Sequence, residues 1–239
     1  LITLLLIIGL GILVCVIFNS RWSHLAPRER VDFHPLRANL AGINFAQLAI
    51  GVLGVLVITA EYSTGMIRST LSAVPRRLPV LWGKALVFGA VAFLVSLPPV
   101  FMVFFAGQAI LSGQHINTTI SHPGVLRALF GAALYMTVMG LFGLGLGAIV
   151  RSTAGGISLL AGTVFVLPPI MGLLPSSFST SVDPYLPSNA GGAIWTVNPD
   201  PNALAPWAGF AVFCAYAAGG DRDRRDPDGP PRHLSGSAQ

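Results

Sequence analysis

Long apolar runs, with charge confined to their ends and to the segments between them, constrain this chain more than any other feature. The runs are Leu1–Phe18, Leu40–Ala60, Val80–Ala106, Ala128–Val150 and Gly155–Leu174, with a shorter sixth at Ala205–Ala218. A helix rises 1.5 Å per residue, so about 20 apolar residues cross the hydrocarbon of a bilayer. Backbone groups in lipid find no water and must bond within their own segment, which makes such runs helices rather than open strands. The expected fold class is all-α: a polytopic membrane helix bundle with six transmembrane helices, the first lacking its start and the sixth short.

Composition agrees. Only 10% of the residues are charged and 53% are hydrophobic, whereas a soluble domain carries roughly 25% charged residues. The net charge of +5 does not indicate nucleic acid. The basic residues flank the apolar runs, where lipid headgroups and the positive-inside bias account for them. Cys15 and Cys214 lie inside apolar runs and act as small hydrophobes without zinc or redox spacing. Leu1 already lies within a run, with no Met and no small-residue cleavage pattern following, so a missing N-terminus is expected rather than a cleaved signal peptide.

Orientation follows from Lys and Arg. Arg68, Arg76, Arg77 and Lys84 lie between the second and third runs, Arg151 between the fourth and fifth, and Arg222, Arg224, Arg225 and Arg232 in the tail. Arg21, Arg28, Arg30, Arg37 and Arg127 fall on the other side, and residues 175–204 contain no Lys or Arg. The segment between the second and third spans is therefore expected inside and residues 175–204 outside. That external loop, rich in Ser, Pro, Asn and Gly, carries Trp195, a residue that favours the headgroup level. It reads either as re-entrant half-helices or as a disordered loop.

Two proline pairs, Pro98-Pro99 and Pro168-Pro169, sit inside spans. Proline removes a backbone donor and bends a helix, so the pairs read as gate kinks lining a pathway or as plain kinks. Gly143-x-x-x-Gly147 is a close-packing pattern, open to dimerisation or to packing within one subunit. The polar tail 221–239 cannot build a core and is expected to be disordered. The sixth run fits a natural short helix, or a reading-frame change that replaced its second half.

Some chemistry is missing. Each Asp and Glu lies at a span end or in a loop, so proton- or sodium-coupled transport lacks its usual ionisable groups. The chain has no phosphate-binding loop of the Gly-x-x-x-x-Gly-Lys-Ser/Thr type, no His-Glu-x-x-His and no Gly-x-Ser-x-Gly. Leu111-Ser112-Gly113-Gln114 matches a shortened nucleotide-binding signature by chance. His24, His34, His115, His122 and His233 share no metal-ligand spacing, so no catalytic residue and no metal site are expected.

The connector after the second run is the most informative segment. On a helix, Ile67, Leu71 and Val74 share one face, while Glu61, Gly65, Arg68 and Ser72 share the other. Pro75 stops the helix, and Arg76-Arg77 sit at its C-terminal end, where the dipole favours cations. Glu61-Tyr62-x-x-Gly65-x-Ile67-Arg68-x-x-Leu71, followed by Arg76-Arg77 and Lys84, resembles the region between the second and third spans of ABC-2 type transporter permeases. Tyr185-Leu-Pro-Ser-Asn-Ala-Gly191 is similar to the same group.

The resemblance implies that residues 1–220 form a transmembrane permease domain that dimerises and binds two copies of a separate ATP-binding-cassette ATPase. Residues 61–75 would be the coupling helix seated on that ATPase. Glu61, Tyr62, Gly65, Arg68 and Leu71 would form it, with Arg76 and Arg77 at its base. The chain would bind no cofactor itself, since ATP and Mg would be used by the partner, and it would lie in a bacterial cytoplasmic membrane. The family's N-terminal amphipathic helix is not in this sequence. An ATP-independent channel or scaffold, or an inactive truncated permease, are the alternative readings.

Overall fold

The computed structural model describes residues 2–22, 35–64, 77–113, 118–173, 181–197 and 202–219. These residues are almost entirely helical, and no strand occurs among them. Five helices are long and apolar enough to cross a membrane: α1 (Ile2–Arg21), α2 (Leu36–Ala60, helical on to Thr64), α3 (Arg77–Ser112), α4 (Val125–Val150) and α5 (Thr153–Gly172). Their most apolar windows have mean hydropathies between 1.7 and 2.8. Two shorter helices follow, α6 (Pro187–Gly192) and α7 (Pro206–Gly219). The chain is a membrane protein by the length and composition of these helices. Exposed apolar side chains such as Leu5, Leu86, Leu94 and Leu173 would be costly in water and are ordinary in lipid.

The helices overrun the apolar runs at several ends. α3 begins at Arg77 and ends at Ser112, because helix length is set by backbone bonding and not by where hydrophobicity stops. α2 likewise continues through Glu61, Tyr62, Ser63 and Thr64. Nothing in those four residues breaks a helix, and the first glycine is Gly65.

α4 is the centre. Sixteen of its residues are buried, from Val125 to Gly147. The core around it joins Ile7 of α1, Ile43 and Ile50 of α2, Val100 and Phe104 of α3, Leu160 and Val164 of α5, then Ile194 and Phe213. Two buried threonine hydroxyls are satisfied locally. Thr59 donates to the Val55 carbonyl at 3.0 Å and Thr137 to the Ala133 carbonyl at 2.9 Å, the i−4 back-bond that keeps a polar group bonded in lipid.

Both proline pairs lie in helices that continue. α3 runs through Pro98 and Pro99 without interruption. In α5 a π turn, Gly162–Val166, precedes Pro168-Pro169, and the Leu167 N–H bonds back to the Gly162 carbonyl. The wider turn gives the pyrrolidine rings room that a regular i−4 ladder lacks.

α4 and α5 are joined through Arg151 and Ser152. Arg151 closes α4 with φ 55° and ψ 18°, and its N–H bonds to the Gly147 carbonyl at 2.9 Å. Ser152 is extended and its Oγ accepts the Gly155 N–H at 3.5 Å, capping α5. A left-handed non-glycine residue costs about 1–2 kcal/mol, and glycine is the usual occupant. Arg151→Gly is therefore expected to stabilise the protein by about 1 kcal/mol, read as a higher midpoint of thermal unfolding in detergent, while Arg151→Ala should give no gain.

Candidate functional site

Two ends of the bundle can be told apart. At one end α2 stops at Thr64, α3 starts at Arg77, and α4 turns into α5. Thr153 donates to Thr59 at 3.0 Å and ties α2 to α5 there. At the other end α3 turns towards α4, with the Thr118 N–H on the Gln108 side-chain oxygen. Residues 181–197 meet α4 at that same end, where Arg127 Nη2 donates to the Thr196 carbonyl at 2.9 Å.

The residues of the connector divide. Glu61 and Tyr62 belong to the last turn of α2, and Arg77 opens α3. Gly65, Arg68, Leu71 and Arg76 lie outside the described residues, as does the tail 221–239.

Gly143 and Gly147 pack within the subunit, against α2. A β-carbon on Gly143 would overlap the Gly51 carbonyl oxygen, and one on Gly54 would overlap that of Gly140. At Gly147 it would stand 3.0 Å from the Val55 oxygen. Glycines from both helices thus interleave, so the two backbones touch. Without a hydrophobic force between helices in lipid, such backbone contact supplies the association through packing. The α4 half of this seam is legible in the Gly143-x-x-x-Gly147 spacing, and Gly51 and Gly54 form a Gly-x-x-Gly spacing on the α2 half.

A neutral polar pair bridges the same two helices. Tyr135 of α4 donates its hydroxyl to the side-chain oxygen of Gln47 in α2, and Gln47 in turn donates to the Asn44 carbonyl at 2.8 Å. Both residues are buried. The Tyr135 ring packs on Phe213 of α7, centroids 5.4 Å apart, and on Trp195, 6.5 Å apart. The pair contains no carboxylate. A tyrosine and a glutamine inside apolar runs were the available signal, since each must find a partner in lipid.

The segment 181–197 is folded. Its 3-10 turn Asp183–Tyr185 is held by Asn189, which donates to the Asp183 carbonyl at 3.0 Å. Leu186, Ala190 and Ile194 are buried. Ile194 sits against Gly131, where a β-carbon would be 2.8 Å from its carbonyl oxygen, and Gly191 faces Phe213 and Tyr135. This segment therefore covers α4 from Gly124 to Tyr135, and α7 covers it from Tyr135 towards Gly145. At 1.5 Å per residue, those ten or so residues of α4 amount to about 15 Å of depth.

The 14 residues of Pro206–Gly219 span about 21 Å, less than the roughly 30 Å of hydrocarbon. Among the described residues, α7 packs on α4 beyond the part covered by the segment 181–197. A sixth helix of full spanning length does not occur among the described residues.

The chain matches no family model, no curated protein and no solved structure. The resemblance of residues 61–77 to ABC-2 permeases thus rests on those residues themselves.

Proposed function

We propose that the chain is the membrane-spanning permease subunit of an ATP-binding-cassette exporter in a bacterial cytoplasmic membrane. It works as a homodimer with two copies of a separate ATPase and catalyses no covalent step. The observation that carries this reading is the pattern Glu61-Tyr62-x-x-Gly65-x-Ile67-Arg68-x-x-Leu71 between two membrane-length helices. Twelve residues lie between Thr64 and Arg77, enough chain for a docking element on the cytosolic side.

Energy enters as the difference in how the ATPase's nucleotide states bind that element. α2 leads directly into it, and α2 is joined to α4 by interleaved glycines and by Gln47 and Tyr135. A push on the connector is then carried along α2 to α4 and to the segment 187–195 resting on it.

Arg68→Glu tests the reading. Like charges facing each other in an interface cost several kcal/mol, so co-purification of the ATPase should fall at least about tenfold with membrane insertion unchanged. Undiminished ATPase on the variant counts against the proposal. A cysteine placed at Ser69 should react with a membrane-impermeant maleimide only from the cytosolic face, and labelling from outside the cell ends it.

A further inference from the structure

α2 carries three carboxamide side chains within its span, Asn39, Asn44 and Gln47. Two of them serve the inside of the subunit. Asn39 is buried and its side-chain oxygen accepts the Cys15 thiol at 2.6 Å, and Gln47 is the buried partner of Tyr135. Asn44 is exposed instead. Its side-chain nitrogen donates to the Ala41 carbonyl at 3.2 Å, and among the described residues its side chain makes no other hydrogen bond. Asn44 lies eight residues from Leu36 and sixteen from Ala60, about 12 Å and 24 Å along the helix axis. A hydrocarbon layer of about 30 Å centred on α2 leaves about 4 Å of helix outside at each end, so Asn44 sits about 8 Å inside it. Acyl chains offer no hydrogen-bonding atom at that depth, and an unpaired amide there is costly.

We propose that Asn44 is the centre of a twofold contact between two copies of this chain, each Asn44 bonding the other. The chemistry of the group chooses the occupant. A carboxamide both donates and accepts, so two of them related by a twofold axis satisfy each other with a pair of N–H···O bonds. An axis along the membrane normal keeps both at one depth, and such isologous contacts are the commonest way two identical chains pair. A second copy thus brings the matching group to the right place without any further partner. The surroundings fit a helix–helix seam. Ala41 and Leu48, three positions before and four after, share the face of Asn44 and are half-buried. Alanine lets a second backbone come close, as small residues do between membrane helices. Phe45 stands beside Asn44, exposed, with its ring 6.3 Å from that of Phe165 in α5, and this aromatic pair supplies packing surface next to the polar centre. The inference rests on the chain being a membrane protein. It gives a face to the homodimer of the proposed function and does not depend on the ATPase.

Self-association of the full chain in phosphatidylcholine vesicles tests the contact. It is read by energy transfer between two fluorescently tagged populations as the vesicles are diluted with lipid. The unaltered protein should associate, and Asn44→Leu should need about tenfold more protein per lipid to do so, the worth of two hydrogen bonds between membrane helices. Asn44 is exposed and its side chain bonds only within its own turn, so the leucine leaves the subunit folded. Asn44→Gln keeps the carboxamide and should retain most of the association. Asn44→Cys should give a disulfide-linked dimer under mild oxidation, beyond any formed by the unaltered chain. Association of Asn44→Leu equal to that of the unaltered protein overturns the contact and leaves a homodimer free to form on another face. A chain that stays monomeric at every dilution overturns the contact and the homodimer together. Reaction of Asn44→Cys with a membrane-impermeant maleimide in the associated protein, above the labelling of the unaltered chain, assigns position 44 to a water-filled path and overturns the contact as well.

Discussion

Gly143→Ala is expected to cost the folded bundle about 3 kcal/mol, and Gly143→Leu to prevent it from forming. The added β-carbon would overlap the Gly51 carbonyl oxygen. That atom belongs to backbone, so no rotamer change makes room, and α2 and α4 must separate along the whole glycine seam. Separation also loses the contacts at Gly54 and Gly147 and pulls Gln47 away from Tyr135. Gly83→Ala is the matched control. Gly83 lies inside α3 with open space around it, and alanine there should gain about 0.5–1 kcal/mol from the lower entropy cost of helix formation. Unfolding in mixed detergent and SDS micelles reads both. Equal midpoints for the two variants would mean that α2 and α4 do not meet at Gly143.

Tyr135→Ala should destabilise by about 3–5 kcal/mol, the usual cost of deleting a buried aromatic ring. The ring is the point where α2, α4, α7 and the segment 181–197 converge: it touches Gln47, Phe213 and Trp195. Its loss should also release residues 181–197, seen as faster proteolysis of that segment in intact vesicles. Tyr135→Phe separates the hydroxyl from the ring. Hydrogen bonds between membrane helices average about 0.6 kcal/mol, so Phe should cost little and leave the segment protected. If Phe proved as damaging as Ala, the hydrogen bond rather than the packing would hold the site together.

Residue chemistry explains which features could be read in advance. Apolar runs announced six spans, the last of them short, and five membrane-length helices occur among the described residues, because a spanning helix must be apolar along its whole length, a local property. Gly143 and Gly147 announced a close contact, since few other reasons place glycine at that spacing in a helix. The partner of that contact was not legible. Gly51 and Gly54 lie some ninety residues earlier, and no local pattern couples them to α4. Residues 181–197 were ambiguous for a related reason. Their Ser, Pro, Asn and Gly content fits an exposed loop, and only the pocket formed by Gly131, Tyr135 and Phe213 turns Leu186, Ala190 and Ile194 into core.

Pro168 and Pro169 show the limit from the other side. Proline forecasts a disturbed hydrogen-bond ladder, and α5 does contain one, but as a π turn inside a continuous helix.

The amino-acid order alone determined an all-helical membrane protein with a basic connector after its second span, because hydrophobic length and charge placement are properties of contiguous residues. Tertiary structure decided that α4 is the hub, that glycines of α2 and α4 interlock, and that the segment 181–197 and α7 pack side by side on α4. Those outcomes depend on which surfaces meet, and shape complementarity between distant segments is not written in either segment by itself.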